Sequence, residues 1–162
     1  MQQFCKNEKI TMKKRIFLTA IIIFLFPGML LAGGLSSNWG EVIIANLEPG
    51  KNYDLNDFLN TRFKITNNFD SNVNLKIEIL IPQPEELKPG YEAIEDVSWV
   101  KVQENISLEA GRTEIVPIQL KIPEGLKYFG KKYQFWIWSH TSGQAVGVGL
   151  KSRIMFSMFT GK

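Results

Sequence analysis

Val73-Asn74-Leu75-Lys76-Ile77-Glu78-Ile79-Leu80-Ile81 decides the fold. Val73, Leu75, Ile77, Ile79 and Ile81 fall on one side of a two-residue period, and Asn74, Lys76 and Glu78 fall on the other. That alternation of β-branched and polar residues predicts a strand with one face buried and one face wet. The same pattern recurs on both sides of it. Upstream, Glu41–Leu47 reads as a strand stopped by Pro49-Gly50, and Arg62–Thr66 alternates up to the turn residues Asn67–Asn72. Downstream, Pro82–Asp96 loses the period; its three prolines and five acidic side chains predict a long surface loop. Strands resume at Ser98–Val102 and Ile106–Leu108, turn at Ala110-Gly111, and continue through Val116, Ile118, Leu120 and Ile122. Pro117 lacks a backbone donor, so that strand is expected at an edge or bulged there.

The last two strands are expected to form a hairpin, Lys131–His140 and Ala145–Phe159, around Thr141-Ser142-Gly143-Gln144. Pairing His140 with Ala145 sets Ile137 against Val148, Phe135 against Leu150 and Tyr133 against Ser152 on the core face. It also sets Trp138 over Gly147 and Trp136 over Gly149 on the outer face, an arrangement in which an aromatic ring covers bare glycine backbone. Seven or eight such strands, with no helical period of useful length between them, predict an all-β, two-sheet antiparallel sandwich over residues 35–162.

Ahead of the strands stands a different kind of segment. Met12-Lys13-Lys14-Arg15 precedes eleven uncharged residues, Ile16–Phe26, then Pro27-Gly28 and Met29–Gly34. A cationic start, an apolar middle and small residues at the end make a secretory signal peptide, helical in its apolar part, with cleavage after Ala32 or Gly34. Residues 1–34 are therefore assigned to the signal, and Met12 offers a second start of translation directly ahead of its cationic run. Retention as an anchor is the alternative, but the 17 residues from Ile16 to Ala32 only just reach a membrane span and Pro27-Gly28 interrupts them. The membrane is then met only through this segment.

The charge balance divides at the same place. Of a net +3, residues 1–32 supply +4, and the remaining 130 residues carry 14 basic and 15 acidic side chains. No cationic excess remains to neutralise phosphates, so nucleic acid is not an expected partner. One Cys, lying in the signal, and one His leave no set of ligands for structural zinc and no thiol nucleophile. Phosphate loops, nucleophile elbows and dinucleotide fingerprints are missing from the sequence, and no cofactor or enzymatic activity is expected. Glu85-Glu86 and Glu95-Asp96 would serve acid–base chemistry only if their loop closed over a cleft. Asn67–Asn74 contains the lone carboxylate Asp70, which suits a turn and not a calcium loop. Asn105-Ile106-Ser107 matches a glycosylation acceptor that has meaning only in a eukaryotic secretory pathway.

Asn52-Tyr53, Arg62–Asn68 with its Thr66-Asn67-Asn68 turn, Val73–Ile77, Ser98–Val102, Leu108–Gly111, Val116–Pro123 and Gly130–Tyr133 together resemble bacterial immunoglobulin-like modules over residues 41–158. The resemblance is greatest to the exported domains of WxL-interacting proteins and to sandwich modules appended to glycosidases. It implies an immunoglobulin-like sandwich, and Gly130 with Tyr133 resembles the tyrosine corner of that fold.

The candidate binding residues are Trp136, Trp138 and His140. Two residues apart on a strand, the indoles lie about 6.6 Å apart on one face, a platform for a sugar chain or a partner protein. They can equally serve to cover Gly147 and Gly149, or lie beneath the Pro82–Asp96 loop. His140, at the end of the same face, is expected to be solvated. Trp99 is expected to face the core. These features lead to a non-catalytic, secreted interaction module of the cell envelope, binding an envelope or surface protein or associating with itself through edge strands. A carbohydrate-binding module built on the Trp pair is the alternative, and a periplasmic pilus-chaperone-like protein a weaker one. The signal assignment predicts that fractionated cells contain a protein lacking the first 32 or 34 residues, outside the cytoplasm; mass spectrometry finding an intact cytoplasmic chain would refute it.

Overall fold

A computed structural model describes residues 33–143 and 147–160. The signal segment, apart from Gly33 and Gly34, lies outside them. Twelve strands and one short helix follow in order: β1 (Leu35–Ser37), β2 (Glu41–Leu47), β3 (Asn52–Asp54), α1 (Leu55–Phe58), β4 (Lys64–Asn67), β5 (Val73–Leu80), β6 (Glu92–Ala93), β7 (Val100–Val102), β8 (Asn105–Leu108), β9 (Thr113–Ile115), β10 (Ile118–Lys121), β11 (Lys132–Thr141) and β12 (Gly149–Met158).

The main sheet runs β2-β12-β11-β5-β8, with β6 added beside β11. Facing it are two three-stranded pieces, β1-β4-β9 and β3-β10-β7. The two-sheet sandwich expected from alternation, immunoglobulin-like as the resemblance implied, is present, with the alternating residues turned inward. Phe63, Ile65, Ile118 and Leu120 from one layer meet Leu75, Ile77, Phe135, Ile137, Ile154 and Phe156 from the other in a single core. Burying each such side chain contributes roughly 1.5–3 kcal/mol. Trp99 joins this core as expected, edge-on to Tyr128 and Tyr133. Ile81, expected on the same face as Ile79, lies past the end of β5 and is 42% exposed.

Besides the two-residue pairing of β6 with β11, one pairing in the main sheet is parallel, that of β2 with β12. It follows from a crossing between layers. The segment Leu35–Leu47 begins as β1 against β4 in one layer and ends as β2 against β12 in the other. Trp39 fills the corner where it crosses, 3% exposed, its ring 5.2 Å from that of Phe63. Its carbonyl accepts the hydroxyl proton of Ser152. Val100–Leu108 crosses likewise, from β7 against β10 to β8 against β5. Pro117 behaves as its missing donor requires. It separates β9, paired with β4, from β10, paired with β3 and β7, so the strand changes partners where it cannot hydrogen-bond.

Two buried asparagines hold the loops. Asn56, in α1, donates to the Val116 carbonyl at 2.9 Å and accepts from Phe63 N–H at 2.8 Å; Asp54 caps the helix by accepting from Asn56 N–H at 3.0 Å. Asn67, in the Thr66-Asn67-Asn68 turn, donates to the carbonyls of Ser71, Leu108 and Glu109 and accepts from Phe69 N–H.

The hairpin corrects the expected register. His140 pairs with Gly149, Trp138 with Lys151, Trp136 with Arg153, Ile137 with Ser152, Phe135 with Ile154 and Tyr133 with Phe156. Ala145, the expected partner of His140, lies outside the described residues. The connection is longer than a tight turn: Thr141 N–H donates to the Val148 carbonyl at 2.8 Å, and Val148 N–H to the Thr141 hydroxyl at 3.0 Å. The register moves by four residues. An even slip preserves the faces, so core and outer residues stay as expected while every partner changes.

Tyr133 also departs from the corner it resembles. In a tyrosine corner the hydroxyl bonds to backbone, but the Tyr133 hydroxyl is buried without a hydrogen-bond partner. Burial, and after it the charges of Glu95 and Glu92, push its pKa up to about 12. A buried hydroxyl without a partner costs desolvation and returns nothing. Tyr133→Phe is therefore expected to leave stability unchanged or to raise it by up to about 1 kcal/mol in urea. In the native protein the unfolded chain ionises this phenol first, so stability falls as pH rises from about 10 to about 12. Tyr133→Phe should flatten that fall; a Phe variant losing more than about 1 kcal/mol would reveal a partner for the hydroxyl.

Candidate functional site

β11 lies between β5 and β12, and its even-numbered residues point away from the core. The outer face is therefore a grid. Leu80, Glu78 and Lys76 of β5 stand opposite Trp136, Trp138 and His140 of β11, which face Arg153, Lys151 and Gly149 of β12. The three residues singled out in the sequence are thus brought together on one face, and neither indole enters the inter-sheet core.

Their surroundings are more structured than the sequence implied. Trp136 holds the Arg153 guanidinium 4.5 Å and the Lys151 ammonium 5.7 Å from its ring centroid. Trp138 stacks on the His140 imidazole at 4.0 Å and 23°. His140 is not a solvated side chain. Only 20% exposed, its Nε2 lies 3.0 Å from the Glu78 carboxylate, which also takes Lys76 at 2.6 Å. Lys76 first and His140 second hold the Glu78 carboxyl below its ordinary range.

The glycine-covering role survives in altered form. Trp138 stands diagonally over Gly149: a Cβ there would come 2.9 Å from the indole Nε1 and 3.1 Å from the His140 Cβ. Gly147 meets no such neighbour, and Trp136 faces Arg153 instead of a glycine.

The segment Pro82–Asp96 was expected as a surface loop, and part of it is a strap on this same face. A 3₁₀ turn at Pro84–Glu86 and the short β6 carry it past β11. Gln134, fully buried, fastens it by donating to the Glu86 carbonyl and accepting from Lys88 N–H, each at 3.0 Å. Ion pairs add to this: Lys151 with Glu86 at 3.6 Å, and Glu41 with both Lys88 at 3.5 Å and Arg153 at 2.7 Å. Arg153, through its hydrogen bond, lowers the Glu41 pKa, and Gln83 N–H lowers that of Glu86. Both carboxylates therefore favour the folded strap above the ordinary 4.5, and the contribution disappears as pH falls below it. Glu95, whose pKa is lowered chiefly by Lys127, and Asp96, which accepts from Ser98 N–H at 2.7 Å, are thus held in pairs and caps. Glu85 and Glu86 sit in the first turn of the strap. Among the described residues no group of three His, Cys, Asp or Glu side chains is placed to hold a metal, and no helix is long and apolar enough to cross a membrane.

Beside this face runs β2, with β12 as its neighbour and no second strand among the described residues. Its Ile43, opposite Met155, is 64% exposed. The sequence reading found this strand but had no signal for its edge position, which follows from the crossing at Trp39.

The chain is similar to a PapD-like domain of human CEP192 (TM-score 0.57, 11% identity, covering 79% of this chain and 87% of that one). It is also similar to the periplasmic chaperone SfaE (0.53, 13%, 77% and 58%) and to a putative carbohydrate-binding protein from Bacteroides ovatus (0.55, 18%, 78% and 37%). The fold is PapD-like and immunoglobulin-like. The chain spans 58% of the chaperone's length and 37% of the Bacteroides protein's. Neither protein-family models nor curated proteins yield a match.

The Trp138–Gly149 contact predicts a signed coupling. Gly149→Ala should destabilise by about 1 kcal/mol, because the new methyl meets the indole. In a Trp138→Ala background the same change should cost less by at least about 0.5 kcal/mol in a double-mutant cycle by urea denaturation. Additivity would mean that the indole does not cover Gly149.

Proposed function

We propose that this chain is a non-catalytic, exported interaction module that joins an envelope or surface protein by strand addition along the free edge of β2. The observation that carries this reading is the edge itself. Natural edge strands are blunted by Lys, Pro or brevity, whereas Glu41-Val42-Ile43-Ile44-Ala45-Asn46-Leu47 has seven residues, no Lys and no Pro. Its guards are Glu41, already engaged by Arg153 and Lys88, and an irregularity at Asn46, where φ is 63°. A second strand laid there would gain backbone hydrogen bonds and cover Ile43. The resemblance to WxL-interacting-protein domains agrees with such a role, as does similarity to chaperones of the SfaE kind.

Export rests on the Met12–Gly34 pattern. Of the two cleavage points, Ala32 suits the fold better. Gly34 accepts Asn68 N–H at 2.8 Å, and a Cβ at Gly33 would stand 2.6 Å from the Phe69 ring, so both glycines touch the domain.

A second reading takes the Trp136–Trp138 face as a glycan platform. Both indoles lie half-buried on the outer face and not in the core, which favours it, and a fold neighbour is a putative carbohydrate-binding protein. Against it, a sugar stacks on a free ring face, and each indole already has a cation or an imidazole against it. Photo-crosslinking separates the readings. A crosslinking residue at Ala45 in living cells is expected to give adducts with an envelope protein or a second copy, abolished by Ile43→Lys. Adducts from position 138 alone, with glycan-array binding abolished by Trp136→Ala and Trp138→Ala together, would replace the first reading by the second.

A further inference from the structure

The opposite side of the main sheet carries a different opening. β8 pairs with β5 only over Val73–Lys76, and Ile77 N–H donates once more, to the Glu104 carbonyl at 2.7 Å. Beyond that point the chain preceding β8 belongs to the other layer, where β7 pairs with β10. Glu78–Leu80 thus have β11 on one side and no hydrogen-bonded strand on the other among the described residues. Backbone groups alternate sides along an antiparallel strand, so Ile79, two residues after Ile77, presents its N–H and C=O to the open side.

The two layer crossings make the contrast clear. At the first, Trp39 is buried and fills the corner. At the second, the crossing residues are Gln103 and Glu104, both exposed, and no side chain takes the place of the indole. What remains is a groove of about 590 Å³ between β5 and β7. Ile79, Val97, Val100 and Val102 line it, and Val97 is 44% exposed. Its charges are unequal in their partners. Lys76 is held by Glu78 at 2.6 Å and is also acted on by Glu104, whereas Lys101 makes no ion pair among the described residues.

We propose that this groove is a second strand-acceptor site, taking an extended segment of a partner polypeptide that hydrogen-bonds to Ile79, turns an apolar side chain toward Val97 and Val100, and places a carboxylate against Lys101. It is independent of the β2 edge, so either site can fail alone. An apolar residue flanked by an acidic one matches both the valine lining and the unmatched ammonium. The backbone bonds require an extended, unblocked segment and not a helix.

The test uses the ¹⁵N-labelled full chain and three blocked peptides: Thr-Val-Glu-Val-Thr-Val, the same with Lys for Glu, and the Glu peptide N-methylated on its central residues. The Glu peptide is expected to shift the amides of Ile79, Leu80 and Val97–Val102, and to slow exchange at Ile79 about tenfold at saturation. It should bind about fivefold more tightly than the Lys peptide, and Lys101→Glu should reverse that order. N-methylation should abolish binding. Shifts confined to residues 41–47, no shifts at millimolar peptide, unslowed exchange at Ile79, or a preference unaffected by Lys101→Glu would each overturn the proposal. Since Lys101 is exposed, the variant's spectrum reports directly on its folding.

Discussion

Everything in this structure depends on β11 having a strand on each side. With β12 along one side and β5 and the short β6 along the other, its backbone is largely committed, and its side chains have only two directions to take. Tyr133, Phe135 and Ile137 go into the core, while Gln134, Trp136, Trp138 and His140 go to the outer face. A one-residue slip would exchange the sets, sending aromatic bulk to solvent and a glutamine and a histidine inward, at a cost of many kcal/mol. The strand cannot slip by odd steps. Even steps carry no such penalty, so the turn and the cross-strand contacts must choose among them.

That asymmetry explains which parts of the fold were legible. Long alternations in Val73–Ile81, Val116–Ile122 and Lys131–His140 revealed strands, faces and sandwich, because each holds several repeats of a two-residue period. Register was not legible. Gly143, Gly147 and Gly149 allow several connections, and Trp–Gly pairing, used to choose among them, is satisfied in reality by a diagonal contact between Trp138 and Gly149. β1, β3 and β9 span three residues each, too few to display a period. The strap was legible as a loop from its prolines. Its position was hidden, since Gln134 reads as an outward polar residue although it is the buried pin that holds the strap to β11.

The candidate site followed the same rule. Parity alone placed Trp136, Trp138 and His140 on one face, and they are there. Their chemistry depended on residues that register selects, Arg153 over Trp136 and Glu78 beside His140, and no local signal identifies those. The result is a face where cations, carboxylates and rings pair with one another, although the Trp136 Nε1 and Arg153 Nε protons are buried without a partner, and that pairing lowers the gain available to a new ligand. An unpaired backbone edge has no such internal partner.

Edges, in turn, come from the crossings between layers. A strand that begins in one sheet and ends in the other closes a corner of the sandwich, yet it must abandon its first partner to reach the second. At Trp39 the vacated corner is filled by an indole, and β2 emerges as a long outer strand. At Gln103-Glu104 nothing of comparable size fills it, and β5 loses its neighbour three residues before its end. These two open stretches of the main sheet therefore have one origin, the economy of closing a small sandwich with few strands, and they differ because one corner has a tryptophan and the other has two exposed polar residues.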